Sequence, residues 1–261
     1  MRTLTLESID ADTGIFLDMF HGIGTALNIT TIIIGSTVGI LIGERLKERT
    51  RDLITDVLGL VTMLGAAAAI APIFKEQYKN AIPNGWTSMP ILFALLIGGA
   101  IGSALNLEAR FEDLGDYLRR KFRSKQSTFV EGFIDSSLLF VIGPLAILGS
   151  ISDGMGSGVD QLILKSSLDF FASMAFASTL GWGVSASIIP VALYQGTWTI
   201  LGFALGSVLS QYQIDAMTVC GGLMLVGIAL RLLDMKRIPV ANLLPALIFS
   251  PLIATAIHHF S

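Results

Sequence analysis

The sequence predicts an all-α fold: a polytopic membrane helix bundle of about eight transmembrane helices, with an inverted repeat around a central antiparallel pair. Three observations predict it. Of 261 residues, 52% are hydrophobic and 14% charged, against roughly 25% charged in a soluble globular protein, and the mean hydropathy is +0.71. The apolar residues fall into runs long enough to cross hydrocarbon about 30 Å thick, which takes roughly 20 residues. The lysines and arginines gather in connections that fall on one side of the bilayer when eight runs are counted.

In chain order, residues 1–21 are an acidic N-terminal extension. Glu7, Asp10, Asp12 and Asp18 stand there against Arg2, the reverse of the basic start of a secretory signal. Residues 22–261 form one transmembrane domain with spans at about 22–43, 53–74, 87–106, 129–151, 161–181, 185–209, 215–233 and 239–258. Only Gly183 and its neighbours divide the fifth from the sixth, so seven spans stay open if one of these is a re-entrant pair. Arg45, Lys47, Arg49 and Arg51 follow span one. Arg110, Arg119, Arg120, Lys121, Arg123 and Lys125 follow span three, and Arg231, Lys236 and Arg237 follow span seven. These loops read as cytoplasmic, which places both termini outside the cytoplasm. Within 107–126, Leu107, Phe111, Leu114, Leu118 and Phe122 share one helical face opposite a charged one. A cytoplasmic amphipathic helix, lying in the headgroup region or docked on the protein itself, fits this pattern.

At an offset of 163 residues, Gly39 and Gly43 map onto Gly202 and Gly206, and Thr55, Gly59 and Leu60 onto Thr218, Gly222 and Leu223. Spans one to three thus resemble spans six to eight, run in opposite senses, and leave spans four and five as the central pair. Inverted repeats of this kind let two units rock around a central site. Gly35, Gly39 and Gly43, with Gly98/Gly102 and Gly202/Gly206, form small-residue ridges that let helices approach closely; such a ridge also suits a homodimer interface. Helix breaks are expected at Gly143-Pro144 in span four, at Pro190 in span six and at Pro245 in span eight. Proline there removes an N–H and frees a carbonyl that a neighbour, water or a ligand must satisfy.

An acid inside a membrane is a functional-site hypothesis by default. Asp135 is expected about 9 Å from the cytoplasmic edge and Asp169 about 12 Å from the opposite one, at 1.5 Å per residue. Ser136 and Ser173 bring hydroxyls beside them. Such oxygens suit Na⁺, Mg²⁺, Mn²⁺ or a proton, although an acid near a helix end also caps or snorkels. Asn28, Gln195 and Asn242 are further ligand candidates, or amides that join helices. His21, His258 and His259 are expected near the outer surface. The net charge of −3 offers no nucleic-acid footprint, and the single Cys220 excludes internal disulfides. No cofactor fingerprint, identifiable metal centre or catalytic constellation is present, so an enzyme is the least favoured class.

Asn28-Ile-Thr-Thr-Ile-Ile-Ile-Gly, Phe140-Val-Ile-Gly-Pro-Leu-Ala-Ile-Leu-Gly-Ser-Ile-Ser-Asp-Gly, Lys165-Ser-Ser-Leu-Asp-Phe-Phe-Ala-Ser-Met-Ala-Phe-Ala-Ser, Val191-Ala-Leu-Tyr-Gln-Gly and Ile238-Pro-Val-Ala-Asn-Leu-Leu-Pro-Ala-Leu together resemble the bacterial YdfK/YqgA-type membrane proteins, domain of unknown function 554. The resemblance covers about residues 24–258 and implies a multi-pass protein of the bacterial plasma membrane. Asp169-Phe-Phe-Ala is also similar to a motif of the manganese-efflux proteins of the lysine-exporter-like group. The chain departs from that group at Ser136-Ser137 and by two extra spans, so this second likeness implies cation transport and nothing about the metal.

The expected function is secondary transport of a cation or small solute at a midplane site built on Asp135 and Asp169. Asp169→Asn is expected to abolish flux and leave folding intact. The alternatives are an ion channel of the same fold, and a non-transporting membrane protein that binds a partner.

Overall fold

The computed structural model describes residues 21–82, 85–205 and 209–260; the acidic extension, apart from His21, lies outside them. Among the described residues every regular element is helical. These are α1 (Ile23–Gly43), α2 (Glu48–Ile70), a 3₁₀ turn (Ala71–Phe74), α3 (Glu76–Ala81), α4 (Met89–Ala104), α5 (Leu107–Lys121), α6 (Phe129–Val141), α7 (Pro144–Gly154), α8 (Asp160–Leu180), α9 (Gly183–Ala186), α10 (Ile188–Leu205), α11 (Gln211–Leu232), a second 3₁₀ turn (Val240–Leu243) and α12 (Ala246–Phe260).

Five stretches are long and apolar enough to cross a membrane: Ile23–Gly43, Glu48–Phe74, Gly183–Ala204, Gln211–Leu232 and Val240–His259. The pairs α4–α5, bent by 54°, and α6–α7, bent by 62°, raise this to seven if each is one span. The expected count is eight. The difference is α8, which at 21 residues has the length. Lys165, Asp169 and four serines (166, 167, 173 and 178) lower its hydropathy. Span three is also shorter than expected: α4 has 16 residues and turns at Asn106, whose φ of 51° is left-handed.

The helices pack in pairs distant in sequence. On α1, Gly24 meets Leu162 of α8, Gly35 meets Phe170 and Ser173, Gly39 meets Met174 and Gly43 meets Ser178. Both series ascend, so α1 and α8 run side by side in the same sense. Close approach requires glycine here: a Cβ at Gly39 would stand 2.8 Å from the carbonyl carbon of Met174. The α6–α7 pair runs antiparallel to α8, with Gly132 against Leu180 and Gly149 against Leu162. Antiparallel contacts also join α2 to α11, through Gly59 on Leu233 and Gly222 on Ala66 and Ile70. The same holds for α4 and the α12 segment, through Gly98 on Ala246 and Gly102 on Asn242. α10 lies antiparallel to α1, with Thr25 facing Thr199 and Asn28 facing Gln195.

The centre is wider than the two spans expected there. α6 is almost wholly buried, and α11 joins it as the most enclosed of the five long apolar helices. Phe129, Phe133, Leu138, Phe140, Phe176, Met224 and Ile228 fill the core between α6, α8 and α11. The outer faces of α2 and α4 expose Leu53, Leu60, Leu64, Leu92 and Leu96, a surface costly in water and at home in lipid. α5 lies against α6 through Phe111 on Phe133 and Gly115 on Val130, leaving Tyr117 exposed.

Candidate functional site

The candidate residues separate into two buried clusters. The first forms where the N-terminal half of α6, the start of α5 and the last turn of α11 meet. Asp135 is fully buried on α6. Its Oδ1 accepts a hydrogen bond from Nη1 of Arg231 at 3.1 Å. Nη2 of Arg231 donates to Glu108 Oε1 and, at 2.7 Å, to the carbonyl of Ile238. Glu108 Oε2 in turn accepts the N–H of Ala241 at 2.8 Å. Asp135 is therefore half of a buried ion pair with Arg231. Its second oxygen, Oδ2, and Nε of Arg231 have no hydrogen-bond partner. Ser136 does not turn toward Asp135: its hydroxyl donates to the carbonyl of Gly132 one turn back, as Ser137 does to Phe133. Asn242 is structural too. Its Oδ1 accepts the N–H of Glu108 at 2.9 Å and so satisfies a free donor at the start of α5. A cavity of about 550 Å³ opens beside this cluster, walled by Glu108, Glu112, Asp116, Glu131, Arg231 and Arg237.

The second group of buried polar residues is carried by α1, α7, α8 and α10. Asp169 pairs with Lys165 of its own helix, four residues earlier, and both side chains are buried. Lys165 Nζ also sits 5.9 Å from the centre of the Phe140 ring, within cation–π range. Ser173 donates to the carbonyl of Phe170 at 3.0 Å and belongs to the α1–α8 contact, not to a ligand shell around Asp169. Asn28 and Gln195, both fully buried, share one hydrogen bond of 3.4 Å. That leaves Oδ1 of Asn28 and Nε2 of Gln195 without partners, and the buried hydroxyls of Ser36, Ser150 and Ser166 are likewise unpartnered. The packing of Gly24 and Gly149 on Leu162 sets Asn28, Ser150, Ser166 and the Lys165–Asp169 pair within about two helical turns, roughly 11 Å, along the axes. At the neighbouring end of the bundle, Asp153 of α7 accepts the N–H groups of Gly22 and Thr25 at 3.1 and 3.4 Å and thereby caps α1.

The expected helix breaks differ in kind. Between α6 and α7 the chain leaves helical geometry at Ile142 and Gly143, with Pro144 opening α7 and the axis turning by 62°. Pro190 breaks nothing. It is the third residue of the continuous α10, within the first turn, where a missing N–H costs no helical bond. Pro245 stands between the second 3₁₀ turn and α12, at the start of span eight. His258 Nδ1–H donates to the carbonyl of Ala81 at 2.7 Å, and His21 Nδ1 lies 3.4 Å from the carbonyl of Asp153.

Arg231, Glu108 and Lys165 are the side chains that sequence reasoning passed over. Lys165 was legible from its four-residue spacing to Asp169. Arg231 and Glu108 reach Asp135 across 96 and 27 residues of chain, and no local pattern joins them. Among the described residues no group of three or more His, Cys, Asp or Glu gathers to hold a metal.

The family described as protein of unknown function (DUF554) matches residues 23–255. The chain is 30% identical over 240 residues to the uncharacterized membrane protein YdfK of Bacillus subtilis (strain 168), covering 91% of this chain and 97% of that one. It is 29% identical over 235 residues to the uncharacterized protein YqgA of Escherichia coli (strain K12), covering 87% and 94%. No solved structure matches. These likenesses and the apolar helices make it a multi-pass membrane protein with bacterial relatives.

Proposed function

This chain belongs to the DUF554 family, and we propose that it is a secondary transporter whose substrate is a small polar solute of little or no net charge. The observation that carries this reading is the set of unpartnered polar atoms in the second cluster. Asn28 Oδ1 is an acceptor, Gln195 Nε2 a donor, and the hydroxyls of Ser150 and Ser166 can be either. A buried polar atom without a partner costs on the order of 1–3 kcal/mol, and such groups in a membrane core mark places that water or a ligand completes. Lys165 and Asp169 neutralise one another, so of the cation and the small solute expected from the sequence the cluster favours a neutral or zwitterionic solute.

The helix arrangement supports alternating access through eight crossings. α8 lies beside α1 in the same sense along most of its length, so a bilayer crossed by α1 is crossed by α8. α1 packs on α8 and α10 packs on α7, through Gly202 on Ile151 and Gly154 on Phe203. Exchange of partners between spans one and six, with spans five and four exchanged likewise, is what an inverted repeat requires. In this reading both termini lie on the side opposite the basic loops.

Thermal-shift screening of the detergent-purified protein, followed by uptake into proteoliposomes, tests the proposal. A neutral or zwitterionic solute should raise the melting temperature by mass action. The rise should vanish in Asn28→Ala and Gln195→Ala. Stabilisation by metal cations alone, unchanged in both variants, would overturn it.

A further inference from the structure

The first cluster has its own charge arithmetic. Glu108, Asp135 and Arg231 have side chains 15%, 0% and 10% exposed. Two carboxylates share one guanidinium, so with both acids ionised the triad carries a net charge of −1 inside the protein. An uncompensated buried charge is among the most costly arrangements a protein can hold. The neighbouring cations do not cancel it. Arg119 is engaged by Asp116 at 2.8 Å. Arg237 lines the cavity and is exposed to solvent, where its field is screened. Lys165 of α8 is bound to Asp169. The other unpaired groups lining this end, Glu112 of α5 and Glu131 of α6, are exposed acids, so they bring no positive charge to the triad. One position in the triad is ready to receive a positive charge: Oδ2 of Asp135, fully buried and without a partner.

We propose that the Glu108–Arg231–Asp135 triad holds one exchangeable proton, on Oδ2 of Asp135, and that this proton is the coupling ion. An O–H bond forms at Oδ2 with a proton taken from water in the adjoining cavity, which Glu108 and Arg231 wall, and breaks when the proton returns to water. The protonated triad is neutral and Arg231 keeps its bonds to both carboxyl groups. Loss of the proton restores the net negative charge and pulls Arg231 between two full carboxylates at the junction of α5, α6 and α11. Proton occupancy would thereby set how tightly that end of the bundle is drawn together. The coupling role rests on the transport reading above; the existence of the bound proton does not.

Infrared difference spectroscopy of the protein in lipid, stepped across neutral pH in H₂O and D₂O, tests it without any substrate. The wild type should show the carbonyl stretch of one protonated carboxylic acid per chain, shifted in D₂O. Asp135→Asn should remove it. Glu108→Gln should also remove it although Asp135 is intact, because one carboxylate then faces one guanidinium and needs no proton. Asp169→Asn should keep it. Absence of the band in the wild type, or its persistence in either Asp135→Asn or Glu108→Gln, overturns the proposal. If one of these variants does not fold, the other decides. A band that behaves as expected in a protein that moves no solute retains the proton site and overturns only the transport reading.

Discussion

Replacing Gly39 by alanine tests one of the close backbone contacts of the bundle. A Cβ there would lie 2.8 Å from the carbonyl carbon of Met174 and nearer still to its oxygen, where ordinary contact begins at 3.4 Å. The obstacle is backbone on a neighbouring helix and cannot swing aside, so α1 and α8 must part by about 0.6 Å or more, the difference between those two distances. Overpacking of this kind costs about 1–3 kcal/mol. The gain in helix propensity on replacing glycine offsets about 0.5–1 kcal/mol of it. Gly65 is the internal control: it lies within α2 and a Cβ there meets nothing within 4 Å, so Gly65→Ala keeps the propensity gain alone. Thermal unfolding in detergent, read by circular dichroism, should rank Gly65→Ala at or above wild type and Gly39→Ala clearly below it. Equal melting of the two variants would refute the claim that α1 and α8 meet backbone to backbone.

The buried pair on α8 predicts its own series. Asp169→Asn leaves Lys165 uncompensated, so the variant should lose about 3–5 kcal/mol of stability and melt early, contrary to the intact folding first expected. Lys165→Met/Asp169→Leu should recover much of that loss, and a double variant no more stable than Asp169→Asn would remove the pair from the argument. Asp153→Ala frees two N–H groups at the start of α1 and should cost about 0.5–2 kcal/mol, as loss of a helix cap does; an unchanged melting curve would show the cap to be idle. Cys220 is fully buried, so cysteines introduced at exposed Ser157 and Trp182, on either side of α8, should react with impermeant maleimides from opposite faces of the membrane. Labelling of both from one face would remove the eighth crossing.

Much of the architecture is written in the chain locally, because a span is a property of some 20 consecutive residues and lipid penalises any exception. The limits of α1 and α11 follow their apolar runs closely. α8 is the instructive case: the polar residues that make it a candidate site also lower its hydropathy, so the side chains that draw attention to it also hide the span. The candidate site was legible one residue at a time and not as a constellation. Asp135 and Asp169 read correctly as acids within apolar runs, yet each draws its meaning from a cation. For Asp169 that cation is a helical neighbour. For Asp135 it is Arg231, which reads as one more charge in a basic loop until α11 is laid beside α6. Ser136 misled for a simpler reason: a hydroxyl inside a helix finds the carbonyl one turn back before it finds a ligand.

The pairing of helices remote in sequence bears on how the protein is made. Gly39 finds Met174 only after 135 further residues have been synthesised, and α2 and α4 wait still longer for α11 and α12. At roughly 5–20 residues per second, α1 is complete about 7–27 s before the face of α8 against which its glycines pack exists. Through that interval its ridge, with Asn28 and Ser36 upon it, stands in lipid or against whatever holds it there. Partial chains shorter than about 180 residues therefore display a polar, small-residue stripe to the bilayer. They are the species that an insertion chaperone would shield and a membrane protease would recognise, so the yield of this protein depends on the second half of the chain arriving in time.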